Sequence, residues 1–145
     1  MKVQEFDTGA LRLKEPFNIS ETVTIAQFAY TSRPSFGSEV IMIGFGVNKG
    51  ADSGELREGN GKIIKCPAGV FQGDLICVEP SEKGSGTRTG DSGGPLVAYT
   101  ASGYKVFGVV SGSLTLTLQG TNIVESITSA YAPTNSNGAW LQQQL

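Results

Sequence analysis

The 145-residue sequence contains no histidine. That removes the side chain that most often serves as a general base near neutral pH and most often ligates transition metals. With only Cys66 and Cys77 as sulfur ligands, the common zinc arrangements are excluded as well. The pair can form a short-loop disulfide or remain two buried thiols. Charge is sparse: 17% of residues are Asp, Glu, Lys or Arg, and the formal net charge is -2. No run of Lys or Arg could neutralise several phosphates at once, so neither nucleic acid nor a membrane surface is an expected partner. The apolar runs, such as Val40 to Phe45 and Val106 to Val110, fall far short of the roughly 20 residues that cross a bilayer as a helix. The first residues, Met-Lys-Val-Gln-Glu-Phe, lack the apolar centre of a signal peptide. An export signal, if there is one, is expected upstream.

What the chain does have is twenty glycines and a steady supply of Ser and Thr, the composition of short strands joined by tight turns. Seven segments read as strands, being apolar or alternating and bounded by Gly, Pro, Asn or Ser: Thr8 to Leu13, Glu39 to Phe45, Lys62 to Cys66, Asp74 to Glu79, Pro95 to Tyr99, Lys105 to Ser111 and Asn122 to Ile127. With no amphipathic helix between them, they predict an all-β Greek-key barrel rather than a βαβ sheet. The polar, glycine-rich stretches Asn48 to Asn60 and Pro80 to Thr89 read as surface loops. One helix is expected, at the end: Asn135 or Ser136 as cap, then Ala139, Trp140, Leu141 and Leu145 as an apolar stripe that docks on the barrel.

The most informative segment is Gly90-Asp91-Ser92-Gly93-Gly94-Pro95. Glycines on both sides of a serine let the backbone turn sharply and let a substrate come close. Such a turn presents a nucleophilic hydroxyl beside N–H groups, here those of Gly90 and Ser92, that can hold an oxyanion. The same residues fit Gly-x-Ser-x-Gly, but that elbow requires a helix directly after the serine. Gly93-Gly94-Pro95 followed by Leu-Val-Ala-Tyr is a strand entry instead. Gly84-Ser-Gly86-Thr-Arg-Thr89 lacks the third glycine of a dinucleotide fingerprint, and there is no Gly-Lys-Ser/Thr phosphate loop. No cofactor is implied. Asn18-Ile19-Ser20 matches a glycosylation sequon, a three-residue pattern of low specificity.

Around this hexapeptide the sequence resembles the trypsin/chymotrypsin family of serine peptidases. Gly44-Phe45-Gly46 is similar to the family's Gly-Trp-Gly strand, and Phe107-Gly108-Val109-Val110-Ser111 to the strand that ends in the serine orienting the catalytic aspartate. Phe6 to Leu13 resembles the segment bearing that aspartate, which makes Asp7 the candidate, against a plain surface carboxylate. Tyr131 and Ala139-Trp140-Leu141 resemble the closing segment. The resemblance runs from about residue 6 to the end.

It implies the C-terminal barrel of a two-barrel fold, with residues 1–30 as a remnant of the first barrel and the connection, and residues 31–145 as the second barrel with its helix. It also implies a Cys66–Cys77 disulfide, a secreted or periplasmic protein, and a protein or peptide substrate. Ser92 would be the nucleophile and Asp7 the triad aspartate. Gly86, Ser111, Gly112, Ser113 and Ser129 would line the substrate cleft. Gly86 stands where an aspartate would select Lys or Arg, so a pocket for small or medium apolar side chains is expected. Arg88 takes the place of a usual cysteine, so one family disulfide is missing. Asp91, in activated relatives, pairs with a freed N-terminal amine, and in zymogens it points elsewhere. The family's histidine lies upstream of the aspartate, in the first barrel. The chain is therefore expected to be inactive or nearly so unless that barrel, as a partner, supplies the base. Two alternatives are a non-catalytic interaction module on the same fold, and a site completed by a second polypeptide or by strands exchanged with a second copy.

Overall fold

The computed structural model describes residues 7–48, 50, 52–82, 85–117, 119–121 and 124–144. Its elements are β1 (Gln27–Phe28), β2 (Glu39–Gly44), β3 (Arg57–Ile64), β4 (Ile76–Pro80), β5 (Pro95–Thr100), β6 (Gly103–Thr117), β7 (Val124–Pro133) and α1 (Gly138–Gln144). Strand β2 pairs with β3, β3 with β4, β4 with β7, β7 with β6, β6 with β5 and β5 back to β2, all antiparallel. This closes an antiparallel barrel, the architecture expected from the turn-punctuated strands. The short β1 adds to β6 in parallel at Gln27↔Lys105 and Phe28↔Val106.

Closure follows from alternation. Val40 and Met42 on β2, Ile76 and Val78 on β4, and Leu96 and Ala98 on β5 sit at every second position and are buried, as side chains on one face of a strand must be. They share one core with Ala29, Ile63, Phe107, Val110 and Tyr131. A disulfide joins Cys66, just after β3, to Cys77 on β4, with Cα atoms 5.1 Å apart. A disulfide fits an oxidising compartment. Among the described residues, no helix is long and apolar enough to cross a membrane.

Several expectations are corrected. Thr8 to Leu13 forms no strand; Leu11 and Leu13 are 95% and 53% exposed, and an alternating segment without a neighbouring ladder has nothing to pair with. The stretch Asn48 to Asn60 is not wholly loop, because β3 begins at Arg57. The last strand lies later than Asn122 to Ile127: β7 starts at Val124 and runs to Pro133, while residues 122 and 123 fall outside the described set. The terminal helix is present, but its stripe is not what docks it. Trp140 is 42% exposed, and Gly138 is the helix's buried residue. A Cβ on Gly138 would lie 2.1 Å from the Tyr30 carbonyl oxygen, so the helix start approaches the chain backbone to backbone. Leu145 lies outside the described residues.

Asn135 and Ser136 do not cap the helix. Arg33 Nε donates to Asn135 Oδ1 at 2.8 Å, its NH2 donates to Ser136 Oγ and pairs with Asp74, and Ser136 Oγ donates to the same Asp74 carboxylate. Partial burial pushes the Asp74 carboxyl up, but the Ser136 and Arg33 hydrogen bonds and the Arg33 charge outweigh it and hold it below the usual 3.8. A carboxyl lowered by folding contributes stability that is present above about pH 4 and is lost as pH falls through its folded pKa. Because the group is half exposed, the contribution is at most about 1 kcal/mol. Asp74→Asn is expected to flatten the acid limb of the stability curve below pH 4, as followed by urea denaturation at a series of pH values.

Candidate active site

The turn bearing Ser92 is built from two fused four-residue turns. Asp91 N–H donates to Arg88 O at 3.0 Å, and Gly94 N–H donates to Asp91 O at 2.9 Å. The third residue of each is a glycine with positive φ, Gly90 at 94° and Gly93 at 83°. An i→i+3 bond with positive φ at the third position marks a type II turn, which favours glycine there. The second turn docks on β6, because Gly93 N–H donates to Val110 O and Val110 N–H donates to Gly94 O. Ser92, second residue of that turn, is exposed at the entry to β5.

Asp91 holds both turns from behind. Its Oδ1 accepts from Gly46 N–H and its Oδ2 from Arg88 N–H, each at 2.8 Å. The carboxylate lies so close to the Gly44-Phe45-Gly46 backbone that a Cβ on Gly44 would sit 1.9 Å from Oδ1, and one on Gly46 2.6 Å from Cγ. Arg57 NH1 donates to Gly46 O at 3.0 Å and bridges to Glu55, bracing the residue that binds Asp91. Behind the turn is a cavity of about 210 Å³ lined in part by Gly44, Gly46, Arg57, Gly86, Thr87 and Asp91. Sequence reading alone had not assigned Arg57, since nothing local marks an arginine that acts through a carbonyl eleven residues away.

Of the candidate residues, Asp7 and Ser111 are brought together across 104 positions of sequence: Ser111 Oγ donates to Asp7 Oδ2 at 2.6 Å. Ser111 follows Val110, the residue bonded to the Ser92 turn, so Ser92, Ser111 and Asp7 lie beside the middle of β6. Gly112 and Ser113 are half-buried on the same strand. Ser129 is fully buried on β7 and accepts the Thr87 N–H at 3.0 Å. Gly86 packs against Ile127 and Pro80 and lines the cavity behind Asp91 rather than sharing one with Ser111 to Ser113.

Two buried hydroxyls, Thr87 Oγ1 and Tyr131 OH, have no hydrogen-bond partner among the described residues. Burial, and then the Asp91 charge, push the Tyr131 phenol far above its ordinary value of 10.0. A group whose pKa is raised by folding gives stability that is present below its unfolded value and lost as pH rises past it. Tyr131→Phe is therefore expected to change stability at neutral pH by less than about 1 kcal/mol, since no bond is broken, and to remove part of the loss above pH 10. Paired urea titrations of the two proteins at pH 7 and above pH 10 measure both effects.

None of the curated proteins compared with this chain matches it. The sequence profile of the family described as Trypsin matches residues 2–139, a span that takes in the Ser92 turn, the Gly44-Phe45-Gly46 strand, Ser111 and all seven strands. A closed antiparallel barrel, a serine presented between glycines at its rim and this match over nearly the whole length lead to one assignment: the chain belongs to the trypsin family of serine peptidases.

Proposed function

We propose that the chain is the nucleophile-bearing barrel of a serine endopeptidase whose general base comes from outside these residues. The observation that carries this reading is the Ser111 Oγ to Asp7 Oδ2 bond beside the Ser92 turn, which puts a carboxylate near the nucleophile in a chain that has no histidine. In the complete site an imidazole would take the Ser92 proton as Oγ attacks the scissile carbonyl. The carbonyl electron pair moves onto oxygen, where the Gly90 and Ser92 N–H groups can hold it. When the tetrahedral species collapses, the C–N bond breaks and the leaving amine receives the proton, leaving Ser92 acylated; water then releases the acid by the same route. Asp7 would fix the imidazole tautomer.

In this reading residues 1–30 connect to a first barrel that brings the histidine, and residues 31–145 form the second barrel. The disulfide suits a secreted or periplasmic protein. Gly86 supplies no charge to anchor Lys or Arg, which favours an apolar substrate side chain. The missing histidine equally favours a second reading, a barrel retained only for binding.

Reaction with a fluorophosphonate probe separates the two. The chain alone should label negligibly. Supplied with a histidine-bearing first barrel, it should label at Ser92, and Ser92→Ala should abolish the label. Failure to label in the completed protein would leave the binding module as the function.

A further inference from the structure

From Gly9 to Ala26 the chain forms neither helix nor strand, and every residue of this stretch is exposed. It is tied at both ends. The Asn137 side-chain amide donates to Thr8 Oγ1 at 3.1 Å, and β1 is paired to β6 at Gln27 and Phe28. Between these ties the backbone–backbone hydrogen bonding among the described residues is limited to Ser20 N–H donating to Val23 O at 2.9 Å. The stretch is therefore a strap held against the barrel without a ladder of its own, and an enzyme can draw it into an extended shape without breaking a sheet or a helix.

The sequon Asn18-Ile19-Ser20 lies in the middle of that strap. Of the six asparagines in the sequence, Asn18 alone is followed two residues later by Ser or Thr, and the residue between is not the proline that would bar transfer. The three letters are weak by themselves, but their surroundings add what the motif lacks. In an extended chain residues i and i+2 point to the same side, so the Asn18 amide and the Ser20 hydroxyl are presented together while Phe17 and Ile19 point the other way. No hydrogen bond within the described residues engages the Asn18 side chain. Ser20 Oγ is held only locally, by the Thr22 N–H and Thr22 Oγ1, each at 3.3 Å, distances at which water competes readily at an exposed site. Other asparagines are committed: Asn48 Oδ1 accepts the Gly50 and Asp52 N–H groups, Asn135 Oδ1 accepts from Arg33, and Asn137 is spent on Thr8.

We infer that Asn18 is a site of N-linked glycosylation, and that the glycan shields the apolar side chains of the strap. The donor is an oligosaccharide carried on a lipid pyrophosphate. Asn18 Nδ2 attacks C1 of the first sugar; the N–C bond forms as the C1–O bond to pyrophosphate breaks. The lipid pyrophosphate leaves with the electron pair, Nδ2 gives one proton to a base of the transferase, and nothing is oxidised or reduced. The Cys66–Cys77 disulfide fits the same oxidising compartment in which this transfer takes place.

The strap also supplies a reason for a glycan. Phe17 and Ile19, on either side of Asn18, are 74% and 62% exposed, and Leu11, Leu13 and Ile25 are exposed along the same strap. Apolar side chains gathered on one exposed segment invite association, and a glycan is bulky and solubilising. The inference goes beyond the endopeptidase reading and does not depend on it, because the sequon uses no residue of the Ser92 turn.

Secretion of the full chain from eukaryotic cells behind a cleavable leader, followed by intact-mass measurement and peptide mapping, tests the site. The secreted protein should carry one glycan, removed by peptide-N-glycosidase with conversion of the modified asparagine to aspartate. Asn18→Gln and Ser20→Ala should each lose it completely, Ser20→Thr should keep it, and Ile19→Pro should lose it with both acceptor groups still in place. An intact Cys66–Cys77 disulfide in the secreted variants shows that a lost glycan is not a folding failure. In light scattering, the enzymatically stripped protein and Asn18→Gln should associate at lower concentration than the glycosylated protein, and adding Phe17→Ser and Ile19→Ser to Asn18→Gln should return it to the monomer. A secreted protein without the modification, or a glycan that survives Asn18→Gln, would overturn the site; equal association with and without the glycan would overturn the shield. Ser92→Ala should be glycosylated alike, so a glycosylated chain that fails to label at Ser92 when completed would sink the endopeptidase reading alone.

Discussion

Gly44→Ala should destabilise the chain by roughly 3 kcal/mol, at the upper end of the range for forcing extra atoms into a packed site. The added methyl would stand 1.9 Å from Asp91 Oδ1, a separation at which either the carboxylate or the β2 backbone must move. β2 is held on both sides, by β3 and β5, so the carboxylate is the part that yields. Its movement breaks the bonds to Gly46 N–H and Arg88 N–H, and the damage then reaches the turn that presents Ser92. Gly46→Ala meets the same carboxylate at 2.6 Å and should cost a comparable amount. Gly9→Ala is the control: nothing lies within 4 Å of its Cβ, so its effect should stay within about 0.5 kcal/mol. Urea midpoints for the three variants measure the contrast, and equal midpoints would refute the packing argument.

These glycines also show what kind of information the sequence carried. Gly-Phe-Gly was legible as a motif, but the reason for it, a carboxylate 45 residues downstream, has no local signature. Strands such as Glu39–Gly44 and Pro95–Thr100 were readable because an apolar face against a core leaves a period-two trace. The first half of β3, Arg57 to Asn60, was not readable. It is polar and glycine-containing, and Gly61 just beyond it points inward, where Val78 and the Glu79 carbonyl fill the space a side chain would need. The far half of β6 was hidden for a related reason: the strand read from Lys105 stops at Ser111, because Ser and Gly bound strands, yet the structure absorbs Ser111 as a register irregularity and continues the strand to Thr117. Thr8 to Leu13 shows the converse, since alternation without a partner is not a strand. The pairing of Asp7 with Ser111 was anticipated only through the order of motifs along the chain. The Arg33, Asp74 and Ser136 cluster was not anticipated at all, because three polar residues spread over a hundred positions leave no pattern until the barrel closes.

Replacing the carboxylate itself gives the other large effect. Asp91→Ala leaves two part-buried N–H groups, those of Gly46 and Arg88, without their acceptor, and hydrogen bonds to a charged group are worth about 1.5 to 3 kcal/mol each. Loss of roughly 3 to 4 kcal/mol is expected, toward the lower end of the sum of the two, because both N–H groups are only part-buried and water can reach them. Asp91→Asn should not rescue it: the amide offers one oxygen in place of two and sets its NH2 against a backbone N–H. The consequence differs from that of a core cavity, because these bonds hold the two turns that place the Gly90 and Ser92 N–H groups. Hydrogen exchange should therefore accelerate first at Gly46, Arg88, Asp91 and Gly94, while the Cys66–Cys77 hairpin on the opposite strands keeps its protection. Uniform acceleration across the barrel would mean that Asp91 supports the whole fold and has no special hold on the turn at Ser92. A local loss would make the carboxylate the fastening of the Ser92 turn, with Arg57, through the Gly46 carbonyl, as its outer support.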